Sequence, residues 1–139
     1  MRQTRRNFCA TVPTLLLAGG ASPQAAALPS KAYRFEDLPV QVFGANRVRA
    51  VLEGVSDRGW QVHVHQTELA PGSTPHPGHR HARVEIFLIC AGTVEVTIAG
   101  RREQLGPGSV AYIAANEEHS ICNVGTVRAQ YFVLALGQG

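Results

Sequence analysis

The chain has no apolar run approaching the ~20 residues that a membrane-spanning helix needs. Its longest uncharged apolar stretch, near the N-terminus, is broken by Pro13 and by Gly19-Gly20. Cysteine is scarce: Cys9, Cys90 and Cys122 are all there is. A closed structural zinc site, which typically uses thiolates, is therefore not indicated. No segment shows a helical period, and residues 28–139 contain no internal repeat, linker or low-complexity tract. An excess of charge is missing as well, once its source is located. The formal net charge is +3, but Arg2, Arg5 and Arg6 lie in the first 27 residues, which carry no acid. Of the 13 Lys and Arg residues, ten remain against ten Asp and Glu. Residues 28–139 are formally neutral, so the basic balance gives no support to nucleic acid or an anionic membrane as a partner.

What is present at the N-terminus is a basic start, an uncharged apolar run and then Ala25-Ala26-Ala27. This is the layout of a cleavable export signal over residues 1–27, and Thr4-Arg5-Arg6-Asn7-Phe8 looks like a twin-arginine signal. Cys9 precedes the apolar run, too early for a lipoprotein cysteine. The expected location is periplasmic or secreted, with no stable membrane insertion after processing. Residues 28–45 mix Pro29 and Pro39 with scattered charges and are expected to form an extended arm that packs on the domain or on a partner subunit. Residues 46–139 are expected to form one domain with a modest core.

That domain reads as strands throughout. Alternation or β-branched enrichment marks residues 47–53, 59–69, 84–90, 93–99, 101–105, 109–113, 119–124 and 127–136. Between them stand turn residues such as Asp57-Arg58-Gly59, Ala91-Gly92 and Gly106-Pro107-Gly108. Many short strands with regular turns predict an all-β sandwich or barrel.

Three histidines and a carboxylate stand out in this background. His79, His81 and Glu85 share a parity, so on a strand they can converge on one point, with His119 arriving from a second strand. A helical pair of histidines does not fit a segment opened by Pro75, Pro77 and Gly78. Three imidazoles and one carboxylate suit a divalent ion of the manganese, iron, nickel, copper or zinc kind, among which the sequence does not choose. Phe87 and Ile89 share the parity of Glu85 and predict an apolar cavity beneath the ion. Cys90 and Cys122 have the opposite parity to Glu85 and His119, which points them away from the ion as buried thiols. A disulfide between them stays open in an oxidising compartment.

The chain at this point resembles the cupin superfamily, as a small single-domain, type-2 member. The first motif of that family is matched by Gly72, His79-Arg80-His81, Glu85 and Gly92, with one extra spacer residue after Gly72. The second is matched by Gly108, His119 and Asn123, while Ala114 and Asn116 stand where proline and glycine are usual. Asn tolerates the left-handed backbone nearly as glycine does, so the turn is expected to survive. The resemblance implies a jelly-roll, or double-stranded β-helix, with His79, His81, Glu85 and His119 as metal ligands at its mouth and Asn123 in a structural role. Four such ligands leave two positions of a six-coordinate ion open to substrate.

Other polar residues admit more than one role. His63 and His65 share a strand face with Leu69 and belong either to a polar outer face or, inside the barrel, to acid–base chemistry near the metal, with His65 the candidate catalytic base. His76 is expected to be a loop neighbour of the site. Arg80, Arg83, Glu117 and Glu118 are expected to face solvent. The expected function is a metal-dependent enzyme acting on a small oxygen-rich or carbonyl-containing molecule, by oxygenase, isomerase or hydrolase chemistry. The alternatives are a non-catalytic small-ligand binding or sensor module and a structural protein. A homodimer is expected through the apolar parity that begins at Ile86.

Overall fold

The computed structural model describes residues 26–138, and all but the last two residues of the expected export signal lie outside that range. Among the described residues a single 3-10 turn, Phe35–Asp37, precedes nine strands. These are β1 (Val40–Phe43), β2 (Asn46–Val55), β3 (Trp60–Leu69), β4 (Val84–Ala91), β5 (Val94–Ile98), β6 (Arg101–Leu105), β7 (Val110–Ile113), β8 (His119–Asn123) and β9 (Ala129–Gln138). Eight of them follow the alternation in the sequence to within about two residues. The ninth, β1, closes the arm expected over residues 28–45 and pairs with β2 through a turn at Gly44. Its four residues are all exposed and follow directly on Pro39, a run too short to stand out from the arm.

The strands form two antiparallel sheets, one ordered β1-β2-β3-β9-β4-β7 and the other β6-β5-β8. This is the all-β jelly-roll architecture. Among the described residues no helix is long and apolar enough to cross a membrane. The core lies between the sheets, where Leu69, Phe87, Ile113, Val94, Ile121 and Tyr131 are almost fully buried. Strand β9 is central, because it pairs with β3 on one side and β4 on the other and so fixes which residues look inward. Glu85 and Phe87 stand opposite Ala135 and Val133, while His65 and Thr67 stand opposite Val133 and Tyr131. Directly opposed residues project from the same face. His65 therefore belongs to the inner face.

Asn123 fastens the end of β8 without ligating anything. Its side-chain amide donates to the carbonyls of Leu69 (2.9 Å) and Val127 (2.8 Å), and its oxygen accepts from the Gly125 N–H (3.0 Å). The substituted turn of the second motif holds as expected: Asn116 takes the left-handed backbone, with φ 64°. Cys90 and Cys122 are both free thiols, and neither is buried as expected: Cys90 is exposed and Cys122 half-buried.

Two glycines of the motifs differ in what they do. Gly92 (φ 76°) lies against β9, where a Cβ would sit 2.7 Å from the Ala129 Cα, whereas Gly108 (φ 84°) faces open space. Gly108→Ala should cost only the left-handed strain, about 1 kcal/mol. Gly92→Ala adds a backbone collision and should cost roughly 3 kcal/mol or more. Urea unfolding midpoints at unchanged m-value check the difference, and equal losses would show that the approach to β9 is not tight.

Candidate metal centre and its cavity

Glu85 sits second in β4, held between Ile113 of β7 and Ala135 of β9, so its carboxylate projects inward from the most constrained part of the sheet. The histidines reach it differently from the expectation of a single strand. Residues 79–83 precede β4 and are not part of it. His79 instead forms an isolated bridge to His119, with reciprocal backbone hydrogen bonds of 3.1 and 2.9 Å. The Asn116 N–H donates to the His81 carbonyl at 2.7 Å. Prolines and glycine before His79 prevent a regular ladder, and the bridge to β8 does the positioning that strand parity was expected to do.

The result brings all four residues together. One nitrogen each from His79, His81 and His119 lies within 4.8 Å of the others. One oxygen of Glu85 is 3.1 Å from His81 Nε2 and the other is 3.1 Å from His119 Nε2. Two backbone carbonyls set the tautomers. His81 Nδ1 lies 2.9 Å from the Arg83 carbonyl, and His119 Nδ1 lies 2.9 Å from that of Glu117. A carbonyl only accepts, so both Nδ1 atoms carry the hydrogen, and a neutral ring then presents a bare Nε2.

Those bare nitrogens face carboxylate oxygens. Although His81 Nε2 is within 3.1 Å of Glu85, the angles do not make a hydrogen bond, and this atom and His79 Nδ1 are buried with no partner among the described residues. Unpaired acceptors converging at low exposure are costly unless a cation lies among them. A proton on an imidazole can satisfy one such contact, but a divalent ion satisfies all of them at once. The donor set therefore fits a metal of the nitrogen–oxygen class.

Beneath Glu85 and His119 is a cavity of about 290 Å³. Phe87, Ile121, Val133 and Val48 make its apolar wall, and the predicted Phe87 floor is 3% exposed. His65, Thr67 and Tyr131 supply polar groups. Burial raises the Tyr131 hydroxyl well above its ordinary value, keeping it a neutral donor. Phe43 at the mouth was hidden in the arm, and nothing in its local pattern marks it as a lining residue. His76 also lines the mouth, stacks edge-on with His79 at 4.3 Å and turns its Nδ1 to the Pro77 carbonyl. Arg80 faces outward and pairs with Glu118 at 3.0 Å, as expected.

His65 is where the sequence left two possibilities, and the inner face is the one found. Its Nδ1 lies 2.9 Å from His63 Nε2, and His63 Nδ1 lies 3.5 Å from the exposed Glu53 carboxylate. A row of three titratable groups thus runs from solvent to the cavity wall. Burial, reinforced by His63, pushes the His65 pKa down to about 4. Burial also lowers that of His79, with His76, His119 and His81 adding to the effect.

Comparison with known proteins agrees with this architecture. The family model described as Cupin domain, type 2, matches residues 65–135. Among solved structures, a predicted oxalate decarboxylase from Thermotoga maritima superposes with a TM-score of 0.63 at 19% identity, covering 76% of this chain and 98% of that one. The polyketide cyclase RemF from Streptomyces resistomycificus gives 0.65 at 17% identity, covering 78% and 80%. KdgF from a Halomonas species gives 0.65 at 14% identity, covering 77% and 94%. At such identities the likeness concerns the fold alone. No curated protein matches the chain.

The lowered His65 pKa carries a stability consequence of definite sign. As pH falls below 6.5 the unfolded chain takes a proton on His65 that the folded protein refuses until about pH 4. Stability is therefore lost across that window and is unaffected above it. In metal-free protein, His65→Gln should make the loss between pH 7 and pH 4.5 smaller by about 2 kcal/mol. Urea unfolding at the two pH values checks this, and a decline equal to the parent's would place His65 in water.

Proposed function

Because the chain belongs to the cupin domain family, we propose that it is a metal-dependent enzyme acting on a small oxygen-rich or carbonyl-containing molecule held in the cavity beside Glu85 and His119. His79, His81, Glu85 and His119 would hold the ion, with the Arg83 and Glu117 carbonyls keeping two of the rings in the ligating tautomer. When bound, a divalent ion supplies Lewis-acid polarisation of a substrate oxygen. The remaining work falls to the chain. Phe87, Val133 and Ile121 exclude water from one side of the substrate, and the Tyr131 and Thr67 hydroxyls offer hydrogen bonds that orient it.

His65 is the proposed base. It accepts a substrate proton at Nε2 while its Nδ1 proton passes to His63 Nε2, and the His63 Nδ1 proton leaves toward Glu53. Each ring gains one proton and loses one, so no buried imidazolium has to form. The single observation that favours catalysis over passive binding is this hydrogen-bonded pair of histidines, ending at the cavity that Glu85 and His119 also line. A non-catalytic binding or sensor protein has no need of it. The chemistry is of the oxygenase, isomerase or hydrolase kind, and the basic, apolar, alanine-ended leader supports export to the periplasm or beyond.

The proposal extends to a homodimer. On the outer face of the larger sheet Ile86 stands opposite Tyr112 and Leu134, and Leu88 opposite Val110 and Phe132. Val110 and Tyr112 are 57% and 60% exposed. A contiguous apolar face of this kind suits a second copy related by twofold symmetry. Leu88→Arg should shift sedimentation from dimer to monomer with the fold intact, and an unchanged dimer would place the interface elsewhere.

Elemental analysis tests the centre itself. His81→Ala should lose stoichiometric metal, whereas His76→Ala should keep it nearly intact. The reverse pattern would mean the ligand pair is misassigned. Iron accompanied by oxygen uptake on candidate substrates would select oxygenation, and absence of metal from natively produced protein would remove the enzyme reading.

A further inference from the structure

The charge of the cavity wall narrows the ligand class, an inference that rests on the proposed metal centre. Among the described residues lining the cavity there is one carboxylate, Glu85, and no Lys or Arg. Its other polar groups are Thr67, Tyr131, Asn46, Ser120 and histidines, none of them an acid. His65, with its pKa down at about 4, adds no positive charge at neutral pH. The opposite wall is hydrocarbon from Phe87, Ile121, Val133 and Val48. A divalent ion held by Glu85 leaves one net positive charge. One anionic ligand cancels it, and a second negative group would stand in a largely apolar cavity with nothing to pair with.

We propose that the cavity takes a small molecule with one anionic, oxygen-donating head and an apolar body, such as an enolate or an aryl hydroxy-acid, and discriminates against dianions. The size is consistent, since about 290 Å³ has room for one aromatic ring with a short oxygenated arm. Phe43 and Pro75 at the mouth extend the apolar lining outward, so the body of the ligand meets hydrocarbon on entry as well. The likeness to a predicted oxalate decarboxylase concerns backbone shape and not these side chains.

Three probes separate charge from body. Protein loaded with Co(II), its metal content measured, is titrated with lactate, mandelate and oxalate, following the visible bands of the ion and the heat of binding. Mandelate should bind about tenfold more tightly than lactate, because its ring enters the apolar wall, and also at least about tenfold more tightly than oxalate. Phe43→Arg, at a position 58% exposed and thus tolerant of charge, should narrow the gap between mandelate and oxalate by about threefold or more. Stoichiometric cobalt with oxalate bound as tightly as mandelate overturns the charge assignment alone. Mandelate bound no better than lactate overturns the apolar body. Failure to hold cobalt at all overturns the metal centre and this inference with it.

Discussion

The Glu85 carboxylate, lying within 3.1 Å of two imidazole nitrogens at the edge of an apolar cavity, is the constraint on which the rest depends. A carboxylate so placed needs positive charge, and the two nearest nitrogens are turned toward it without protons when their rings are neutral. Everything that fixes this geometry is backbone. Strand β4 is paired on both sides at Glu85, the His79–His119 bridge ties the loop to β8, and two carbonyls choose the tautomers. Side chains alone could rotate away from such a confrontation. A backbone that holds them in it fits a cation.

Strand β9 extends that constraint into the cavity. Because β9 pairs with both β3 and β4, the inward residues of three strands are locked in register, and a one-residue slip would move Tyr131, Val133 and Ala135 to the outside together. The same register that presents Glu85 therefore also presents Phe87 and His65. The outward set, Ile86, Leu88, Phe132 and Leu134, is equally apolar, which is why β4 and β9 read as continuous hydrophobic runs.

Much of this was legible beforehand, for reasons that differ by residue. Alternation revealed eight strands, and the Phe87 floor followed from the parity of Glu85. Asn116 was a sound replacement for glycine because its short amide tolerates a positive φ, and it adopts one. Strand β1 was not visible, since its four exposed residues make only a short run behind Pro39. His79 and His81 do converge, but not through strand parity: a bridge to His119 places the first and the Asn116 N–H on its carbonyl holds the second. Whether His63 and His65 faced in or out was undecidable locally, because alternation defines two faces and only pairing with β9 says which one is inside.

The neutral wall and the histidine pair answer one physical difficulty. A cavity poor in charge strengthens the pull between a bound cation and an anionic head, but it makes any additional charge expensive. A base that became a cation there would oppose the metal and lose the advantage of the dry surroundings. Handing the proton along through two tautomer shifts, as proposed, would leave His65 neutral at the start and at the end and would move the charge to Glu53, where water screens it. Low polarity of the kind that would turn away a dianion would also call for a proton exit of this kind, so the depressed basicity of His65 is compatible with the proposed role as a base.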